Sequence, residues 1–216
     1  RMTIALAGKM PLKEVKQILE DELGSLKPSS QTKPDFTAIQ PKKNPPKAKI
    51  FQVEQRLPQT TILWRTKGFP HHHEQYLVWR LANAILGGDS FNSVLTKQIR
   101  SKHGWAYSAY STYSTDQQTG EITLFTQTAN ANVNDVMRRM QEILENPEKY
   151  ISKDRVEMAK TAIKNKFVFL YETPEQYLSL RLKLMWDGLP DDYLKTYLDR
   201  LEKVTRNDVV NFLKNH

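Results

Sequence analysis

The sequence predicts an α+β sandwich, and three observations predict it. Its β-type segments come in pairs instead of alternating singly with helices. From Trp105 the apolar pattern has period two, and after a turn near Gln118-Thr119-Gly120 it resumes at Ile122, Leu124, Thr126 and Thr128, as in a long-stranded hairpin. Beyond residue 130 the apolar spacing is helical throughout.

Taken in order, residues 2–7 form a short apolar run ending at Gly8, which reads as a buried strand. Pro11 then opens a helix whose Val15, Ile18, Leu19 and Leu23 share one face, and Gly24 closes it. Residues 25–47 carry prolines and lysines without apolar periodicity and read as an extended connector. Strands are predicted at 48–55 and 59–67, separated by Leu57-Pro58; the second is rich in β-branched and aromatic residues. A helix follows with Leu77, Val78, Leu81, Ala84 and Ile85 on its buried face, ending at Gly87-Gly88. Another spans about 90–102 and stops at Gly104. After the hairpin, Val133, Val136, Met137, Met140 and Leu144 form one helical stripe and Val156, Ile163, Phe167 and Leu170 a second. Thr173-Pro174 and Gly188-Leu189-Pro190 interrupt the helices, and Thr205-Arg206-Asn207-Asp208 has the capping-box pattern of a last one.

Composition narrows the function. At 216 residues the chain can bury a sizeable core, and its aromatic residues need one. No apolar run is long enough to cross a bilayer as a helix. The short apolar start does not match a signal peptide and reads as a strand entered mid-stream, as in a chain cut from something longer. The absence of cysteine excludes disulfides, thiolate metal sites and a Cys nucleophile. The net charge of +8 comes largely from Lys27, Lys33, Lys42, Lys43, Lys47 and Lys49, against one acid, Asp35, over residues 25–50. Only Phe36 accompanies them, which argues against stacking on a single-stranded nucleic acid and for a solvated connector.

Two catalytic patterns fall short. His71, His72, His73 and Glu74 stand at a helix start, and His71 and Glu74 have the spacing of a His-x-x-Glu-His zinc site, but Gln75 occupies the last position. A neutral amide is a poor zinc ligand, so these residues read as a solvated polar first turn and no metal site is assigned. No Ser lies in a Gly-x-Ser-x-Gly elbow, and after Ala7-Gly8-Lys9-Met10-Pro11 no phosphate-binding glycine pattern appears.

The most specific stretch runs from Leu86 to Tyr110. A glycine turn joins two helices, the second ends in a basic turn, and Gly104 reverses the chain into an aromatic strand. Arg100 and Tyr107 should meet across that reversal as two donors for a peptide carbonyl or a developing oxyanion. The plainer alternative is that Arg100 answers the helix dipole and Tyr107 suits a strand.

This stretch resembles the signature of the C-terminal, non-catalytic half of pitrilysin/insulinase-type zinc peptidases, the mitochondrial processing peptidase among them. Met2–Gly8, residues 189–194 and residues 204–209 resemble other segments of that half, so the likeness runs through nearly the whole chain as a single domain, 1–216. The resemblance implies a two-layer sandwich of a largely antiparallel mixed sheet packed by helices. It further implies a chamber for extended peptides, with zinc held by a catalytic half on the same longer chain or a separate subunit. Arg100 and Tyr107 match the positions that reach the substrate beside the zinc, and no catalytic residue is assigned to this chain alone. A strand at 120–129 is expected at a sheet edge, where a peptide could add to it. The partners implied are the catalytic half and a peptide substrate, with a second copy of the chain left open. Exported relatives tilt the location towards the bacterial periplasm. The competing reading is a scaffold that holds a partner subunit, in which Arg100 and Tyr107 would point into a core or an ion pair.

Overall fold

The computed structural model describes residues 2–27, 48–88 and 91–216. Most of the predicted connector, with four of its lysines, therefore lies outside the described residues. Contacts divide the chain into two units, Arg1–Phe51 with Leu170–Leu182, and Gln52–Phe169 with Lys183–His216.

In the first unit, α1 (Leu12–Leu23) begins directly after Pro11 and ends at Gly24. Pro is tolerated there because the opening N–H groups of a helix have no intrahelical partner. The predicted face is only partly covered: Val15, Leu19 and Leu23 are half-buried and Ile18 is exposed. Residues 2–7 form no strand, and Met2, Ile4 and Leu6 are exposed. The same correction applies to 48–55, where Ile50, Phe51 and Val53 lie exposed and no ladder forms. Strand propensity reports fitness for a pleated, half-buried surface and does not supply the neighbouring strand.

The second unit holds the sheet. Strands β1 (Gln59–Gly68), β2 (Ala106–Thr115) and β3 (Gly120–Ala129) lie in the order β1-β3-β2, every pairing antiparallel. The 120–129 strand is therefore central, bonded on one side to β1 and on the other to β2, and cannot serve as the expected edge. The reason is topological: the tight turn at 116–119 pairs β3 with β2, and β1 returns along its other side. Ile62, Ala109, Ile122 and Leu124 point into the core. Two threonines share that face, their hydroxyls donating to backbone carbonyls, Thr126 to Ser108 at 2.9 Å and Thr128 to Trp105 at 2.6 Å. The opposite face carries Leu63, Phe125 and Tyr110 in one cross-strand row, with the Tyr110 and Phe125 rings stacked at 4.9 Å.

Helices cover the inner face. α2 (Tyr76–Asn83) is buried almost all round, through Tyr76, Leu77, Trp79, Leu81 and Ala82, because it lies between the sheet and outer helices. It continues as a π-helical turn at Ala84–Gly88. Gly87 is required there, since a Cβ would stand 2.1 Å from the backbone nitrogen of Ser111 on β2. α3 (Val133–Glu145) buries Val136, Met140 and Ile143. α4 (Pro147–Tyr150) is one turn, and α5 (Lys153–Phe167) buries Val156, Ile163 and Phe167. α6 (Pro174–Trp186), most of which belongs to the first unit, starts at the predicted proline; after its end Gly188 takes a φ of 72°, and Leu189 N–H reaches the Leu184 carbonyl at 2.9 Å. α7 (Tyr193–Glu202) and α8 (Arg206–Asn215) complete the unit, and Thr205 and Asp208 form the predicted capping box.

The Gly87 contact is with backbone, which cannot rotate away. Gly87→Val should destabilise the fold by about 3 kcal/mol, the cost of overpacking a tight site, read as a lower urea midpoint.

Candidate functional site

The site is built by one reversal of the chain. A helical segment starts at Val94, where Ser93 Oγ accepts the Thr96 N–H at 3.3 Å in place of a missing backbone partner. From Thr96 to Ser101 it is π-helical, and Ile99 on it is fully buried. Burying Ile99 leaves the next residue, Arg100, half-exposed at the margin of the core. Gly104 then takes φ of 65°, a left-handed conformation that glycine adopts without a Cβ clash. Its N–H bonds the Arg100 carbonyl at 2.8 Å, and the Trp105 N–H bonds the Ile99 carbonyl at 3.1 Å.

β2 begins immediately with Ala106 facing the core. The ladder to β3 slips between Ala106 and Ser108, so Tyr107 is the extra residue of a bulge. Its side chain stands out from the sheet, 83% exposed. The guanidinium carbon of Arg100 lies 5.0 Å from the centre of the Tyr107 ring, a cation–π contact that aligns the two groups. Among the described residues, neither the Tyr107 hydroxyl nor the Arg100 guanidinium has a hydrogen-bond or ion-pair partner. The structure thus brings the two predicted residues together at the surface with their polar ends free. The scaffold reading requires a core position or an ion pair for them, and among the described residues they enter neither.

A brace behind this turn was not legible in the sequence. His103 stacks on Trp105 at 4.0 Å, and Arg139 on α3 reaches His103 Nε2 at 3.4 Å while donating to Glu142 at 2.8 Å. Tyr150 donates to the other oxygen of Glu142 at 2.9 Å, and that bond leads the effects holding the Glu142 carboxyl below its usual range. Only an aromatic pair flanking Gly104 hinted at the brace, and Arg139 lies 36 residues from His103 in the chain.

The histidine run has a different fate from the one expected. His71 is not part of a solvated turn: it is buried, and its Nδ1–H donates to Asp187 Oδ2 at 2.7 Å. Tyr193 Oη donates to the other ring nitrogen at 3.2 Å, and Lys183 donates to the same Asp187 oxygen at 2.9 Å. His73 stacks on Phe69. With both ring nitrogens engaged, His71 has no lone pair left for a metal. Among the described residues no group of three or more His, Asp or Glu side chains could hold a metal ion.

Comparison with known proteins decides the family. Residues 1–163 match the model described as the peptidase M16 inactive domain. The chain belongs to the peptidase M16 inactive-domain family. The resemblance seen in Leu86–Tyr110 to the non-catalytic half of pitrilysin-type zinc peptidases therefore holds. A solved peptidase M16 inactive domain from Pseudomonas fluorescens is similar at 24% identity and a TM-score of 0.68, over 82% of this chain and 42% of that one. A Helicobacter pylori protease is similar at 14% identity and a TM-score of 0.78, over 95% and 50%. The periplasmic protease PqqL of Escherichia coli is similar at 16% identity and 0.71, over 96% and 23%. The chain thus spans half or less of these proteins, and at these identities they establish the fold alone. No curated protein matches it.

The His71 network generates a pH prediction. Burial lowers the His71 pKa from its ordinary value of 6.5, against the raising pull of Asp187; Lys183 and Arg80 also lower it. Tyr193 and Tyr76 complete its surroundings, with ring centres 5.4 and 4.4 Å away. A histidine whose folded pKa is depressed stabilises fully above its unfolded value and loses that contribution as pH falls through 6.5 towards the folded pKa. Unfolding free energy should therefore decline below that pH, and His71→Gln should flatten the decline. Asp187→Ala should cost about 2 kcal/mol in urea denaturation, because it leaves the buried His71 N–H without its acceptor.

Proposed function

We propose that this inactive domain is the substrate-binding half of a chamber-forming zinc metallopeptidase that cleaves extended peptides. Arg100 and Tyr107 hold the substrate backbone beside a zinc carried by a catalytic half, on the same longer chain or on a partner subunit. The observation that carries this reading is the contact of half-exposed Arg100 with exposed Tyr107, their donors free among the described residues. On a strand whose Ala106 and Ala109 are buried, Tyr107 sits at a bulge with its ring outward.

Chemically, a guanidinium and a phenol can donate together to one carbonyl oxygen and strengthen as that oxygen gains charge. Their alignment by the ring contact reduces the ordering needed on binding. The zinc would supply the activated water on the catalytic half. This chain's part is to place the peptide and stabilise its carbonyl.

The test uses the complete zinc-containing assembly. Removing one oxyanion donor from an acyl-transfer site costs about 100-fold in rate. Tyr107→Phe, which deletes only the hydroxyl, should reduce kcat/KM by about that factor, and Arg100→Ala by at least as much. A scaffold without substrate contact predicts unchanged kcat/KM for both variants at unchanged assembly.

A further inference from the structure

A second surface uses neither Arg100 nor Tyr107. The π-helical turn Ala84–Gly88 and helix α5 leave between them a groove of about 370 Å³. Ile85 and Ile163 supply its most buried apolar groups, and it opens between small side chains, Ala84 on one wall with Ala159 and Ala162 on the other. Met158, 57% exposed, adds a flexible apolar group.

Its charge is one-sided. Lys97, Arg155 and Lys166 line the groove, and no carboxylate does among the described residues. None of the three pairs with an acid among those residues. Arg155 is fixed in place by donating to the Asn92 carbonyl at 2.8 Å, which leaves most of its guanidinium donors unused. The opposite face of α5 is different: there Lys160 pairs with Glu157 at 3.1 Å and donates to the Glu202 carbonyl at 2.8 Å. The helix therefore compensates its charge on one side and not on the other. Unpaired cations around an apolar trough are complementary to carboxylates flanking an aliphatic side chain.

We propose that this groove docks an acidic segment of a partner protein, which seats one or two aliphatic side chains between Ala84 and Ala159 and sets carboxylates against Lys97, Arg155 and Lys166. A nucleic acid fits less well, since no aromatic ring lines the groove for a base to stack on. The proposal is independent of the substrate reading, because it uses neither Arg100 nor Tyr107.

The test is fluorescence anisotropy on this chain with a short labelled helical peptide of Glu, Leu and Ala, and its Lys-for-Glu counterpart as control. The acidic peptide should bind, more weakly as salt rises, and the basic one should not. Lys166→Glu, on an exposed position, and Ala159→Leu, which fills the trough with a good helix former, should each weaken binding at least about fivefold while circular dichroism stays unchanged. Arg100→Ala and Tyr107→Phe should leave it unaltered, so failure here and failure of the substrate reading are separable. Absence of binding, equal binding of the basic peptide, or indifference to both groove variants overturns the proposal. So does binding of anionic phospholipid vesicles or a DNA oligonucleotide, with the same dependence on Lys166 and Ala159, in place of the peptide.

Discussion

The seating of β2 against the two π-helical turns is the constraint on which the site depends. Gly87 has no side chain, so the first turn meets the backbone of Ser111 directly. The second turn is tied to the same strand by the Thr96 hydroxyl, which donates to the Ala109 carbonyl at 3.0 Å. The Ser111 hydroxyl returns a bond to the Asn83 carbonyl at 3.3 Å. With the strand held at this depth, Ile99 and Ala106 are buried on either side of Gly104. Arg100 and Tyr107, one residue further along each arm, are then displaced to the surface together. The wider turns of π-helix place side chains out of step with an α-helical register, and such turns recur where a protein needs a side chain in an unusual position.

The same packing explains why polar groups here fall into two classes. One class faces the interior and is paired, as Thr126 and Thr128 are with carbonyls and His71 with Asp187 and Tyr193, although Trp79 Nε1 and the Tyr197 hydroxyl are buried without a hydrogen-bond partner among the described residues. Desolvation makes an unpaired buried group costly, so the fold satisfies the threonines and His71 before it closes. The Arg100 and Tyr107 donors, and the cations of the groove beside α5, sit where water can satisfy them. They remain available to a ligand without a cost to folding. A scaffold needs the first class only.

Much of the helical and hairpin layout could be read from the chain because its signals are local. Pro11 and Pro174 start helices, Gly104 and Gly188 take left-handed conformations where the chain turns, and Thr205 with Asp208 caps the last helix. The alternation at Ile122, Leu124, Thr126 and Thr128 faces the core as its period requires. Residues 2–7 and 48–55 show the limit. Their apolar composition suits a strand, yet a strand exists only by pairing, and the described residues give them no partner. The position of 120–129 failed for a related reason: a hairpin can be recognised from its turn, but which of its strands takes the third depends on a return of the chain from β1.

By itself the sequence determined the α+β class, the family through the Leu86–Tyr110 stretch, and the proximity of Arg100 to Tyr107, since a glycine reversal only a few residues long leaves their side chains little choice. Tertiary structure alone decided the rest. It turned Tyr107 outward through a one-residue bulge against β3, and it took His71 out of solvent by packing it on Asp187 and Tyr193, more than a hundred residues away. It also left Lys97, Arg155 and Lys166 around one groove without an acidic partner among the described residues. Local signals report what the backbone can do over a few residues. Which charges find partners, and which face outward, is settled only when distant segments compete for the same space.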